Sequence, residues 1–351
     1  MRSLLPEFLE AQLPTHALLR SVAMVHDFRG REELFRQQSP EVLETLRRSA
    51  VVSSVEASNR IEGIVAPAAR MWGLVARRTE PRTRSEQEIA GYRDVLDTIH
   101  ANWNEIPPTP GTVLQLHRDL FRYTPQPGGH WKTVDNQIVE RDPDGTVRLR
   151  FQPTPAWQTP EAVESLQALV REALERGEIE PLLIIAAYGL DFLCIHPFLD
   201  GNGRMARLLT LLLLYKSGFG VGRFISLEQI VDESRESYYD ALAASSRGWN
   251  EGEHSLLPWW QYFLGILLDA YRTFEERVGE TRAPRGAKGE RVREAIERMP
   301  DRFRIVELID ACPGVSHATV RRELNRMRDA GVVQCLGRGR SVEWEKVPPE
   351  D

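Results

Sequence analysis

Apolar positions recur at helical spacing through most of the first 280 residues. Leu43, Leu46, Val52, Val55 and Ile61 share one face, which predicts a long helix ending near Gly63 and Pro67. The same periodicity predicts helices over 85–102, 112–121, 161–176, 181–195, 203–216, 234–245 and 254–277. It breaks at 128–151, where extended runs at 133–140 and 146–151 flank Asp142, Pro143, Asp144 and Gly145. Turn residues between two strand-like runs predict a β-hairpin. Residues 279–290, with three glycines, a proline and no large apolar side chain, read as a linker.

Beyond the linker the pattern predicts helices at 291–299, 304–311 and 316–329, then strands at 332–336 and 341–344. Three helices and a basic hairpin predict a small winged helix-turn-helix domain over 291–348. Ser316 would cap its third helix, whose exposed side would carry His317, Arg321, Arg322 and Asn325. Arg338 and Arg340 would stand on the hairpin. From residue 285 to 346 there are fourteen Lys/Arg against ten Asp/Glu, a surplus of positive charge within a chain of net −6. Those five residues, Arg321, Arg322, Asn325, Arg338 and Arg340, are candidate DNA contacts; a protein-interaction surface is the alternative. The fold class expected is mainly α, with one short hairpin and this C-terminal domain.

Composition narrows the function further. At 42% hydrophobic and 27% charged, the chain is that of an ordinary globular protein. A net charge of −6 excludes a whole-chain footprint for nucleic acid or an anionic membrane. The apolar run at 208–214 is too short to span a bilayer, and Pro6, Glu7 and Glu10 interrupt what would be a signal peptide. Three scattered cysteines, Cys194, Cys312 and Cys335, fit reduced thiols in a cytoplasmic protein rather than a disulfide framework or a zinc site.

Candidate chemistry is concentrated in "HPFLDGNGRMAR", His196 to Arg207, directly before an apolar helix. Gly201 and Gly203 permit positive φ and close approach of a ligand to the backbone. With Asn202 they would present amide N–H groups as an anion nest, reinforced by the N-terminus of the following helix. Arg204 and Arg207 are three apart, so they would share a face and reach one anion. Asp200 beside phosphates implies a cation, and one carboxylate with phosphate oxygens is a common way to hold Mg²⁺. His196 could accept a proton from an incoming nucleophile at neutral pH. Together these are the parts of a metal-assisted phosphoryl or nucleotidyl transfer site. No P-loop or dinucleotide-binding glycine pattern occurs in a suitable context.

The same twelve residues resemble the signature of the Fic (Fido) family: His, x, Phe, x, Asp or Glu, Gly, Asn, Gly, Arg, x, x, Arg. The resemblance implies an all-α Fic core at 106–278, preceded by an N-terminal helical region at 1–105. It implies transfer of AMP from ATP to a Ser, Thr or Tyr hydroxyl of a protein, with release of pyrophosphate. His196 would be the general base and Asp200 the Mg²⁺ ligand. Gly201, Asn202 and Gly203 would form the nest, and Arg204 and Arg207 would hold the phosphates. The hairpin lies where such proteins carry a target-binding flap, with Lys132, Thr133 and Val134 as its contacts. Tyr238 and Tyr239 fall where the adenosine is lined; Ser246 stands near the place of a frequent Asn.

"SNRIEG", Ser58 to Gly63, resembles the family's inhibitory motif. Ser58 and Glu62 stand one turn apart on a helix over about 41–64. By resemblance Glu62 would pair with Arg207 and take the place of the ATP γ-phosphate, because carboxylate and phosphate compete for one guanidinium. Removal of AMP, with Glu62 positioning a water, is a rival reading. Another is a nucleotide-sensing, DNA-binding transcriptional regulator. Expected partners are ATP, a hydroxyl-bearing protein that can be the chain itself, a second copy of the chain, and DNA; no membrane is expected.

Overall fold

The computed structural model describes residues 2–38, 40–141, 147–279, 287–312, 315–336 and 343–347. The expected hairpin turn at 142–145, most of the linker, and Arg338 and Arg340 lie outside the described residues.

The chain opens with α1 (Pro6–Ala11), α2 (His16–Gln38), α3 (Pro40–Ile61), α4 (Ala68–Val75), α5 (Arg84–Asn102) and α6 (Pro110–Leu120). A hairpin of β1 (Ile138–Arg141) and β2 (Val147–Phe151) follows. Then come α7 (Thr159–Arg176), α8 (Pro181–Ile195), α9 (Asn202–Lys216), α10 (Leu227–Glu233), α11 (Arg235–Ser246) and α12 (Leu257–Gly279). The architecture is mainly helical, as the periodicity predicts. Starts are set by local chemistry: Thr83, Thr109 and Ser226 each accept a backbone N–H from the first turn of α5, α6 and α10. α3 stops because Gly63, at φ 75°, lets the chain reverse. Ile64 N–H then donates to Asn59 O and Gly63 N–H to Arg60 O, at 2.9 and 3.0 Å, which satisfies carbonyls the helix leaves open.

One continuous core joins all twelve of these helices. α8 lies at its centre, buried from Leu182 through Ile195 almost without a break, between α7, α9 and α12. α9 buries Leu208, Leu209 and Leu211 to Tyr215 in the same core. The two helices that flank the polar cluster are therefore firmly packed in the core.

Two expectations need correction. The hairpin begins at Ile138, not at residue 133, so Thr133 and Val134 precede the first strand. Lys132, Asp135 and Asn136 instead hold 132–136 against neighbouring loops: Asp135 accepts the Ala156 N–H at 2.7 Å, and the other two brace the motif described below. The C-terminal unit also has a third strand. α13 (Ala287–Arg298), β3 (Arg302–Arg304), α14 (Ile305–Ala311), α15 (His317–Asp329), β4 (Val333–Leu336) and β5 (Glu343–Lys346) form three helices and an antiparallel sheet of order β3-β5-β4. Too short to show a period, β3 falls in the stretch that the sequence leaves between two expected helices, overlapping the second only at Arg304. Val292, Ile296, Phe303, Leu308, Val320, Leu324 and Trp344 form a separate core. α14 packs on α3, and Asp310 lies beside Trp72 of α4. No helix among the described residues is long and apolar enough to cross a membrane.

Gly91 on α5 is a close-approach position: a Cβ there would lie 1.9 Å from the Leu120 carbonyl oxygen of α6. Both helices supply residues to the polar cluster, so their spacing matters. Gly91→Ala is expected to destabilise the fold by about 1–3 kcal/mol through overpacking. An unchanged denaturant midpoint would show that α5 and α6 separate freely.

Candidate active site

α8 ends because His196 turns left-handed (φ 51°, ψ 61°) and Pro197 follows. A positive φ at a non-glycine residue is strained and persists only where surroundings hold it. Several side chains hold this loop. Asn202 brackets it, accepting the Phe198 N–H at 2.9 Å and donating to Phe198 O at 2.8 Å. Asn136 donates to Phe198 O at 3.0 Å, and Lys132 Nζ donates to Ile195 O at 3.1 Å. His117 stacks on Phe198 with ring centroids 3.6 Å apart. It accepts the Gly129 N–H at Nδ1, leaving Nε2–H to donate to Asp200 O at 3.1 Å.

His196 Nδ1 lies 3.1 Å from Leu193 O. A carbonyl only accepts, so Nδ1 carries the proton and Nε2 keeps its lone pair. Burial lowers the pKa of His196, further helped by Lys132 and opposed by Leu193 O and Glu62. The imidazole is thus neutral at pH 7 and able to accept a proton.

Gly201 caps α9 at φ 82°; a Cβ there would sit 3.0 Å from Phe121. Arg207 projects from the next turn and grips α3. Its Nε donates to Ser58 Oγ, and its Nη2 donates to Ser58 O and Glu62 Oε1, each at 2.8 Å. Glu62 also lies against the first turn of α9, so closely that a Cβ on Gly203 would be 2.2 Å from its Oε1. The carboxylate therefore occupies the positive end of the helix as well as the guanidinium. Burial opposes the charge on Arg207, and Glu62 outweighs it, so its pKa is raised.

His196, Glu62, Gly203, Tyr238 and Tyr239 line one cavity of about 360 Å³. Gln137, Ile138, Val139, Arg150 and Phe151 of the hairpin segment close one side of it, and Ser246 lies on the α11 wall. Arg150 joins the two sides by donating to Tyr239 O. Tyr238 is buried against Trp259 and Tyr262, while Tyr239 is half-buried.

Three expected roles do not match the geometry. Arg204 does not join Arg207 at Glu62; it is fully buried, ion-paired to Glu88 at 2.8 Å and set 5.2 Å over the Phe121 ring. Three residues of helix turn the two side chains far enough apart for α5 to capture one and α3 the other. Lys132 is buried beneath the loop rather than exposed on a flap, and burial lowers its pKa to about 8. Thr133 and Val134 are exposed ahead of the strands and line no part of the cavity. Asp200 is exposed, 3.6 Å from both Arg84 and Arg204, and is not among the residues lining the cavity. His117, Asn136, Glu88 and Arg84 were not singled out by sequence, since their roles depend on partners 60 to 116 residues away. In the C-terminal unit, His317, Arg321, Arg322 and Asn325 are exposed along α15, and Ser316 caps it.

Residues 107–214, which include the whole loop and α9, match the Fic/DOC family. The chain carries a Fic domain. A protein adenylyltransferase Fic of Drosophila erecta is 26% identical over 60% of this chain and 40% of its own length. A Fido domain-containing protein of Dictyostelium discoideum is 38% identical over 19% of this chain and 44% of its own. The chain thus spans under half the length of these relatives. Among solved structures, a Fic family protein from Desulfovibrio desulfuricans G20 superposes with a TM-score of 0.63 at 21% identity, covering 97% of this chain and 98% of that one. A Fic-1 fragment from C. elegans superposes at 0.60 and 20% identity, covering 76% and 73%. Ser58, Glu62, Tyr238 and Tyr239 lie outside the matched Fic segment but meet it in space.

His100, His117 and His254 are each held at about 4 by burial, against an ordinary 6.5. The unfolded chain takes up their protons as pH falls through 6.5, whereas the folded chain waits until about 4, so stability is lost across that window. Buried Asp191, raised to about 6, has the opposite sign and offsets part of the loss. The melting temperature is expected to be lower at pH 5 than at pH 7; equal values would contradict the burial of these imidazoles.

Proposed function

We propose that this protein is an adenylyltransferase that moves AMP from ATP to a protein hydroxyl and is held inactive by its own Glu62. The observation that carries the reading is the Glu62 carboxylate seated on Arg207 and on the first turn of α9, in one cavity with neutral His196. That seat has the features of a phosphate site: a buried guanidinium, a helix N-terminus and a glycine backbone open to contact.

In the reaction a target hydroxyl oxygen bonds to the α-phosphorus of ATP as the bond to the β-phosphate oxygen breaks. His196 Nε2 takes the hydroxyl proton, and Nδ1–H on Leu193 O keeps the ring oriented. Pyrophosphate leaves with the electron pair. Arg207 holds the phosphate chain, and the backbone of Gly201, Asn202 and Gly203 borders it; the Asn202 side chain instead fixes the loop. Tyr238, Tyr239 and Ser246 border the nucleoside end. The hairpin, with Val139 and Leu149 exposed, is an edge to which an extended target segment can add. Its contacts are assigned to Ile138 and Val139 rather than to Lys132, Thr133 and Val134. A lone exposed carboxylate at Asp200 fits a Mg²⁺ shared with phosphate oxygens better than an ion caged by protein alone. That Mg²⁺ would supply positive charge to the phosphates.

Glu62→Gly is expected to raise labelling from α-labelled ATP by about tenfold or more, since each 1.4 kcal/mol removed from the competing ion pair is a factor of ten. His196→Ala in the same background is expected to abolish labelling. Intact mass should show the addition of AMP. Labelling by Glu62→Gly no stronger than by the native chain would sink the inhibitory assignment, and labelling without His196 would sink the base assignment.

The C-terminal unit supports a second, compatible reading as a winged helix-turn-helix that binds DNA. The exposed, capped α15 presents His317, Arg321, Arg322 and Asn325 with no buried role. Replacing Arg321 and Arg322 by Ala should weaken binding to duplex DNA and flatten its salt dependence by about one unit per lost phosphate contact. Native binding that ignores salt would argue for a protein partner instead.

A further inference from the structure

Behind the Arg207 grip lies a second polar centre that the reaction does not use. Glu228, at the start of α10, is buried yet faces three hydroxyl groups. Ser54 Oγ donates to its Oε2 at 2.7 Å, Ser226 Oγ to Oε2 at 3.2 Å, and Tyr92 OH to Oε1 at 3.2 Å. Tyr92 is itself fully buried, and its hydroxyl lies beside Ser58. Ser58 in turn accepts from Arg207 Nε. Arg207 thus donates to Ser58, and Tyr92, beside Ser58, donates to Glu228. Ser54 joins the same carboxylate from one turn earlier on α3.

Direction is the point of the arrangement. A serine hydroxyl has one proton, and Ser58 can give it to Tyr92 only if Tyr92 gives its own elsewhere. Glu228, as a carboxylate, has no proton to offer and accepts from every side. With its proton committed to Glu228, Tyr92 OH has only lone pairs to offer Ser58, and Ser58 Oγ keeps its own lone pairs for Arg207. The two carboxylate-linked serines, Ser54 and Ser58, then pin α3 on the side that carries Glu62.

We propose that Glu228, acting through Tyr92, Ser54 and Ser58, is a positioning residue that locks the inhibitory helix onto Arg207. This inference rests on the reading of Glu62 as inhibitory. Neither Glu228 nor Tyr92 touches the cavity of His196, so both act through other residues. Loss of one hydrogen bond to a charged group in such a chain corresponds to roughly a tenfold or greater shift in the balance between engaged and released helix.

The test uses the full chain with Tyr92→Phe, which removes one hydroxyl and keeps the ring, and with Glu228→Gln as a second variant. Each is made in the native and in the Glu62→Gly background. Labelling from α-labelled ATP should rise about tenfold in the native background and should not rise further with Glu62→Gly. A merely structural role would lower labelling in both. Amide hydrogen exchange over 54–62, which requires no catalysis, should quicken about tenfold relative to α7. Faster exchange there supports the lock even if Glu62→Gly labels no more than the native chain, a result that would defeat the inhibitory reading alone. Unchanged exchange over 54–62 overturns the proposal, as does an active Glu62→Gly chain accompanied by no gain from either native-background variant.

Discussion

Arg207 is the point on which the structure turns. Its guanidinium projects from the first turns of α9 and takes hydrogen bonds to Ser58 and Glu62 of α3. A buried guanidinium is costly unless its donors find acceptors. Here the acceptors come from a helix almost 150 residues upstream, so the N-terminal region and the Fic domain are joined at the centre of the site. The same three bonds place a carboxylate at the N-terminus of α9, where a helix favours negative charge. Packing and electrostatics thus agree on where Glu62 sits.

Around that point the active loop is held by polar groups, not by apolar packing alone. Asn202, Asn136, Lys132 and His117 each bond to backbone atoms of 195–200 or to one another's neighbours. A loop carrying a left-handed histidine and two glycines would otherwise sample many conformations. Buried α8 on one side and α9 on the other fix its two ends. Its middle is fixed by groups whose hydrogen-bonding capacity is nearly all used, which is the condition under which a polar network rigidifies a site.

Much of this was legible in the sequence. Long helices showed in their apolar period, and the ends of α3, α8 and α9 showed in Gly63, Pro197 and the Gly201–Gly203 pair. The pairing of Glu62 with Arg207 was legible only through resemblance to a family pattern, because no local spacing links residues so far apart. What periodicity could not reach was the direction of individual side chains. Arg204 and Arg207 look equivalent at a spacing of three, yet α5 offers Glu88 to one and α3 offers Glu62 to the other. Lys132 looks like a surface lysine beside a strand, but its stem is buried and its ammonium caps two acceptors under the loop. Such choices are made by tertiary partners, and only coordinates supply them.

On the proposed reading, a site blocked by Glu62 can still be ready. Glu62 is about one-third exposed, so its ion pair with Arg207 is partly screened by solvent and is a modest contact for an intramolecular competitor. Ser58 is buried and holds Arg207 through Nε and Nη2 independently of Glu62. If Glu62 swings outward, two of the three bonds remain and the guanidinium keeps its direction. Nη1, which has no acceptor among the described residues, and the freed side of Nη2 then face a helix N-terminus with its charge uncompensated. On that reading the inhibitory contact and the phosphate site differ by the rotation of one side chain, and Ser58 is what makes that difference so small.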